Sequence, residues 1–269
     1  MANGPTNARN FAERYQSVLV PVIFEPWARE LIDRAALQGG ENVLDLACGT
    51  GVVTREIAKS GLSTGSLTAA DHNGDMLGVA RDLAARLGQK AEWVEADAGD
   101  LPFESDRFDV AFCQQALQFF PDRPAALREL RRVMKRGGKV IFCVQKDLSV
   151  NPLLKSQAAA LDKHVGPQAG AAVRAICSLP DADEIRELFE GAGFRDVTIE
   201  TVSLMLGHPD GRAFAAGAMG GMHTGDKLSE LAETSIEMAI DEFLAGLGDY
   251  LDGKALRFPH VSNVISARA

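Results

Sequence analysis

Residues 43–51 read Val-Leu-Asp-Leu-Ala-Cys-Gly-Thr-Gly, and the later apolar run Leu67-Thr68-Ala69-Ala70 ends in Asp71, twenty residues past Gly51. Gly49 and Gly51 let the backbone approach a ligand closely. A helix opening near Gly51 offers unpaired N–H groups to an anionic group, and a carboxylate at position 71 can accept from both hydroxyls of a ribose. These residue types at this spacing suit the holding of a nucleoside-bearing ligand. A dinucleotide fingerprint needs G-x-G-x-x-G/A, whereas the register here is Ala47-x-Gly49-x-Gly51-x-x-Thr54, with Asp45 ending the preceding strand. A strand-end carboxylate repels phosphate and suits a ligand that carries an amino group.

The series continues downstream. Met76, at a helix start after Asp71, can cover one face of an adenine, and His72 stands beside it. Val94-Glu95-Ala96-Asp97-Ala98 ends another strand, where Asp97 can accept from an exocyclic amine and the Ala98 N–H can meet a ring nitrogen. Gln114 and Gln115 follow the fourth strand, and ligands sit at the carboxyl ends of parallel strands, so the two face either the far end of the ligand or its reaction partner. Phe119 and Phe120 read as core packing under the next helix or as an aromatic wall.

Val43 to Gly51 resembles the first motif of class I S-adenosylmethionine-dependent methyltransferases, and is similar to that of the ubiquinone/menaquinone-biosynthesis C-methyltransferases. Ala47 departs from the pattern, which more often has glycine there. The resemblance implies S-adenosylmethionine as cofactor, with Asp45, Ala47, Gly49 and Gly51 around its methionine end, Asp71, His72 and Met76 around its nucleoside, and the Asp97-Ala98 loop reading the adenine. It also implies a Rossmann-like, doubly wound α/β sheet of seven mostly parallel strands, the last antiparallel, under a helical cap. In this family an aromatic from the N-terminal helices often closes over the cofactor, which makes Tyr15 a lid candidate.

A sulfonium is an activated methyl donor, so alignment and exclusion of water can supply much of the catalysis without a dedicated base. No catalytic residue is therefore assigned; His164 and His223, in the expected cap, are the candidates for a general base. No N-P-P-Y signature is present, which weighs against nucleobase or glutamine amines as acceptors. The stretch Phe214 to His223 is small, apolar and methionine-rich, and reads as an ordinary helix–loop of the cap or as an adaptable pocket. A small, largely apolar or aromatic methyl acceptor is the expectation. A non-catalytic module binding S-adenosylmethionine or S-adenosylhomocysteine is the competing possibility, while a nicotinamide dehydrogenase lacks its third glycine.

The elements that must position these residues alternate. The pattern predicts strands near 42–46, 66–71, 91–95, 108–113 and 139–144, with helices near 51–60, 73–87 and 122–134 between them, so a parallel sheet with helices on both faces follows. Further on come a helical insert over about 150–177, a helix opening at Asp181, a strand from Phe194 to Leu206, a mostly helical 210–250 and a strand from His260 to Ala267. The N-terminal pattern of Phe11, Tyr15, Leu19, Phe24, Trp27 and Leu31 predicts two or three short helices interrupted at Pro21 and Pro26. The expected organisation is a lid over 1–40, a cofactor core over 41–146, a cap insert over 147–178, and completion of the sheet over 179–269 with a second insert at about 207–255.

Bulk properties bound the rest. With 269 residues and 46% hydrophobic content, one elaborated domain is the default. A net charge of −9 disfavours a nucleic-acid partner. Four scattered cysteines without metal-ligand spacing fit buried thiols in a reduced cytoplasm, with no metal site, and no apolar run approaches the length of a membrane span. The oligomeric state is open.

Overall fold

The computed structural model describes residues 7–221 and 233–269; His223 lies outside them. In chain order the elements are α1 (Asn7–Arg14), a π-helix (Tyr15–Phe24), α2 (Glu25–Ala35), β1 (Asn42–Leu46), α3 (Val52–Lys59), β2 (Ser66–Asp71), α4 (Gly74–Arg86), β3 (Glu92–Glu95), β4 (Phe108–Gln114), α5 (Arg123–Val133) and β5 (Met134–Gln145). Then come α6 (Pro152–His164), α7 (Pro167–Ala175), α8 (Ala182–Gly191), β6 (Arg195–His208), α9 (Gly211–Gly221), α10 (Glu233–Ala245), β7 (Leu251–Asp252) and β8 (Ala255–Arg268).

The chain divides into two compact units. One, comprising Trp27–Gln145, Leu179–Val202 and Ser262–Ala269, holds the sheet. The strand order is β3-β2-β1-β4-β5-β8-β6, with the two-residue β7 paired to β8 off that path. Strands β1 to β5 are parallel to their neighbours, and β8 runs antiparallel to β5. The mostly parallel, doubly wound sheet read from the sequence is thus present, with β7 as an addition too short to show periodicity. The order reverses between β1 and β4, so the loops leaving those two strands diverge to opposite sides and open a crevice at their carboxyl ends.

Strands β1, β2 and β4 are buried nearly throughout, as expected where helices cover both faces. Phe108, Phe112, Phe142 and Phe189 are fully buried, and the rings of Phe142 and Phe189 meet edge to face at 5.2 Å, which fastens α8 to β5.

The other unit takes the described parts of 1–26, 146–178 and 203–261 and is mainly helical. Its N-terminal segment differs from the expectation at the prolines. Pro21 lies inside the π-helix rather than ending it, and Pro26 falls in the first turn of α2. A proline lacks the N–H of an ordinary helical bond and crowds the carbonyl four residues back; here the wider π turn carries the chain past it instead of a break. Ser156 Oγ donates to Phe243 O at 2.6 Å, tying α6 to α10, and Gln157 Nε2 donates to Ala218 O at 3.2 Å, tying α6 to α9. Asn151 is buried and acts as a clasp: its Nδ2 donates to Val261 O at 3.1 Å while its Oδ1 accepts from Val261 N at 2.8 Å. Among the described residues, no helix is long and apolar enough to cross a membrane.

Candidate cofactor site

The turn after β1 is built from backbone conformations that most side chains resist. Ala47, Gly49 and Gly51 all adopt positive φ, at 55°, 56° and 78°. At Gly51 a Cβ would also lie 2.6 Å from the Trp93 ring, so this glycine is required both by its dihedral and by a side chain from β3. At Gly49, by contrast, a Cβ would meet nothing within 4 Å. That bare backbone faces open space at the crevice, where a ligand can come close.

Asp71 ends β2 beside this turn. Its Oδ2 accepts from Gly49 N at 2.7 Å and its Oδ1 accepts from Asn73 N at 2.9 Å, which pins the carboxylate from both sides. Each oxygen keeps a further lone pair for a hydroxyl. Asp71 does not cap the next helix; Asn73 does, its Oδ1 accepting from Asp75 N at 3.0 Å and Met76 N at 3.1 Å. Met76 is half-buried in the first turn of α4, and the His72 side chain is 81% exposed with Nδ1 3.5 Å from Asp71 Oδ1.

Asp45 sits deeper than the sequence suggests. Only 1% of it is exposed, and Oδ2 accepts from Thr54 N at 3.0 Å and from Thr54 Oγ1 at 2.7 Å, so the carboxylate fastens the start of α3. Burial pushes its carboxyl up to about 6 against the opposing pull of the Thr54 hydrogen bonds. Arg55, also buried, returns its guanidinium to Thr50 O in the same turn.

The β3 loop joins the site through its backbone. Ala96 N donates to Asp71 O at 3.0 Å; the exposed Asp97 accepts at Oδ1 from Gly99 N at 2.7 Å, and Ala98 is half-buried beside it. After β4, Gln115 takes a positive φ of 54°, so adjacent strands β1 and β4 both leave the sheet through left-handed, non-glycine residues. Such strain persists where surrounding structure over-determines it, and it concentrates at ligand sites. Gln115 Nε2 donates to Ser262 Oγ at 2.7 Å, while its Oε1 is buried without a hydrogen-bond partner. Gln114 is buried at the end of β4. Phe119 and Phe120 part company: Phe120 packs on the core cluster, but Phe119 is 51% exposed. The short 3-10 helix Leu117–Phe119 buries Leu117 and turns the Phe119 ring outward, while Phe120, just past its end, packs inward.

The structure therefore brings Asp45, Ala47, Gly49, Gly51, Asp71, His72, Met76, Asp97, Ala98, Gln114 and Gln115 to the carboxyl ends of neighbouring strands of one sheet. Tyr15 and His164 belong to the helical unit. The Tyr15 ring packs 4.9 Å from that of Phe24, and His164 Nε2 lies 3.8 Å from Glu242 Oε2. Asn73, Arg55 and Trp93 were not foreseen. An Asn three residues before Met76 is an N-cap signal readable in sequence; the Trp93 contact, made across 42 positions, is not. Among the described residues, no cluster of three or more His, Cys, Asp or Glu could hold a metal ion.

Solved structures share this architecture. The YcgJ protein from Bacillus subtilis superposes with a TM-score of 0.60 at 17% identity, covering 90% of this chain and 97% of that one. A Haemonchus contortus phosphoethanolamine N-methyltransferase, solved with phosphomonomethylethanolamine and S-adenosylhomocysteine, gives 0.57 at 17%, covering 98% and 60%. At these identities the likeness shows the fold, a mostly parallel α/β sheet with helices on both faces. The sequence model of the ubiE/COQ5 methyltransferase family matches residues 10–207, and the chain belongs to that family. Demethylmenaquinone methyltransferase from Staphylococcus aureus (strain JH9) is 28% identical over 207 residues, covering 72% of this chain and 85% of the relative. The protein is an enzyme, and its cofactor is S-adenosylmethionine.

Proposed function

We propose that the enzyme methylates a small, largely apolar or aromatic molecule, with the donor held by the residues at the carboxyl ends of β1 to β4. The observation that carries this is the pinned Asp71 carboxylate beside the open backbone of Gly49. Asp71 accepts from the ribose hydroxyls. The turn from Ala47 to Gly51 lies along the methionine end, with Asp45 acting through the α3 start that it secures, and Met76, His72, Asp97 and Ala98 surround the adenine. When bound, S-adenosylmethionine supplies a methyl group on a positively charged sulfur, already activated for displacement. What the chain adds is alignment and exclusion of water.

Gln114 and Gln115 occupy the end of the site nearest the transferred group, and the exposed Phe119 ring offers an apolar surface to the acceptor. The name of the 28% identical relative, a demethylmenaquinone methyltransferase, supports an apolar aromatic acceptor. The segments 1–40, 147–178 and about 207–255, with Tyr15 as a lid residue and His164 and His223 as candidate bases, choose the acceptor. The partner is a small molecule rather than nucleic acid, and the cytoplasm, where buried reduced thiols such as Cys113 and Cys143 are at home, is the compartment.

Calorimetric titration tests the donor half: Asp71→Ala lowers S-adenosylmethionine affinity tenfold or more, about 1.4 kcal/mol, with the fold intact by circular dichroism. An unchanged affinity removes Asp71 from the site. A screen with labelled methyl donor tests the acceptor half, and transfer only to charged, polar acceptors overturns it.

A further inference from the structure

At the opposite end of the sheet, between the segment leading into β1, the amino ends of β4 and β5 and the last residue of β8, lies a cavity of about 490 Å³. The five residues of β1, about 16 Å of extended chain, separate it from the glycine turn. Its lining carries four cations, Lys135, Arg136, Lys139 and Arg268, against two carboxylates, Glu41 and Asp109. That surplus of positive charge stands in a chain of net charge −9.

The arrangement is not explained by ion pairing. Lys135 is answered by Asp109, whose two oxygens both lie 2.8 Å from its Nζ. Lys139 and Arg268, however, occupy directly opposed positions of the antiparallel β5–β8 ladder. Like charges placed so destabilise a sheet. Among the described residues, both are steadied only by backbone carbonyls, Lys139 Nζ donating to Ala35 O at 2.8 Å and Arg268 to Gly137 O at 3.2 Å. Burial, and then the neighbouring Arg268, push the Lys139 ammonium below its ordinary value. Arg136 is exposed and makes no ion pair among the described residues. A local conflict of this kind, at the exposed end of β8, fits a place kept for a ligand.

We propose that this cavity binds a small phosphate-bearing anion, held by Arg136, Lys139 and Arg268, at a site separate from the cofactor turn. A guanidinium presents a fork of donors that matches a tetrahedral oxyanion, and the surplus of two positive charges matches a dianion. The volume falls in the range of small-molecule sites and exceeds what a bare ion fills.

The test is titration of the full chain with inorganic phosphate, pyrophosphate and AMP, by calorimetry and thermal melting, in buffers matched in ionic strength with sodium chloride. At least one probe binds with a sub-millimolar Kd and raises Tm, and Arg136→Ala and Arg268→Ala each weaken it about tenfold while S-adenosylmethionine affinity stays unchanged. Arg136→Ala, at an exposed side chain, keeps the test decisive if Arg268→Ala fails to fold. Tighter binding of AMP than of phosphate places an organic moiety in the cavity; equal binding assigns it to phosphate alone. The proposal falls if no probe binds up to about 10 mM, if sodium chloride reproduces the stabilisation, if Arg136→Ala leaves binding unchanged, or if S-adenosylmethionine displaces the only probe that binds.

Discussion

Ala47 carries a methyl group at a φ of 55°, in a region where an L side chain costs about 1–2 kcal/mol. The family pattern has glycine there more often, and the dihedral explains why. Ala47→Gly removes that strain but adds freedom to the unfolded chain, worth about 0.4–1 kcal/mol in the other direction. The expected net effect is a gain of about 0.5 kcal/mol, seen as a small rise in the urea midpoint with donor affinity kept; a clear loss shows that the turn is not strained at this position. Asp45, one strand residue earlier, has a titration of its own. Its folded pKa, about 6, lies above the ordinary 3.8, so the folded state holds a proton that the unfolded state has released. Stability from this group is full below pH 3.8 and is lost as pH rises to 6, about 3 kcal/mol in all. Asp45→Asn keeps the acceptor for Thr54 and removes the charge, so the variant's stability relative to wild type rises over that interval. A difference that does not change with pH shows that Asp45 is not held as an acid.

Elements were legible where their own residues specify them. The strands through Asp45 and Asp71 are apolar runs between turn residues, Asp181 is a capping type, and alternation of strand with helix determines the parallel sheet. Of the candidate site, the placement of its residues at the carboxyl ends of β1, β2 and β4 followed from the same runs. What escaped depends on partners far away in the chain or on geometry with no periodicity: the π-helix that passes Pro21, the two-residue β7, and the outward turn of Phe119. The contact between Gly51 and Trp93 belongs to this second group and is testable as a coupling between α3 and β3. Gly51→Ala places a methyl within 2.6 Å of the Trp93 ring at a φ of 78°, and the expected loss is about 2–4 kcal/mol, with weakened donor binding. In Gly51→Ala/Trp93→Leu the overlap is gone while the dihedral strain remains. The two substitutions are then expected to couple by at least about 1 kcal/mol in a double-mutant cycle of urea unfolding; strict additivity shows that the ring does not set the turn.

Across the whole molecule, acid stability is a contest between groups of opposite sign. His260 is fully buried in the helical unit, and burial pushes its imidazole down to about 3. The unfolded state therefore takes up a proton below about pH 6.5 that the folded state refuses, and stability from this group, full above 6.5, is lost at about 1.4 kcal/mol per unit as pH falls toward 3. Asp45 acts in reverse, returning stability as pH falls from 6 to 3.8. Over that interval the two slopes are nearly equal and opposite. Below pH 3.8 Asp45 has nothing further to give, while Glu129 below its ordinary 4.5 and Asp109 below its ordinary 3.8, held low against burial by Arg132 and by Lys135 respectively, lose their partners' help. Wild type is thus expected to hold a flat unfolding free energy between about pH 6 and 4.5 and then to fall ever more steeply. Asp45→Asn, stripped of the compensating group, declines from about pH 6.5 onward, and His260→Asn gains stability as pH falls to 4. Urea titrations of the three proteins at half-unit pH steps decide the matter, and a wild-type curve that declines steadily from pH 6.5, parallel to Asp45→Asn, would show that the Asp45 carboxyl is already ionised in the fold.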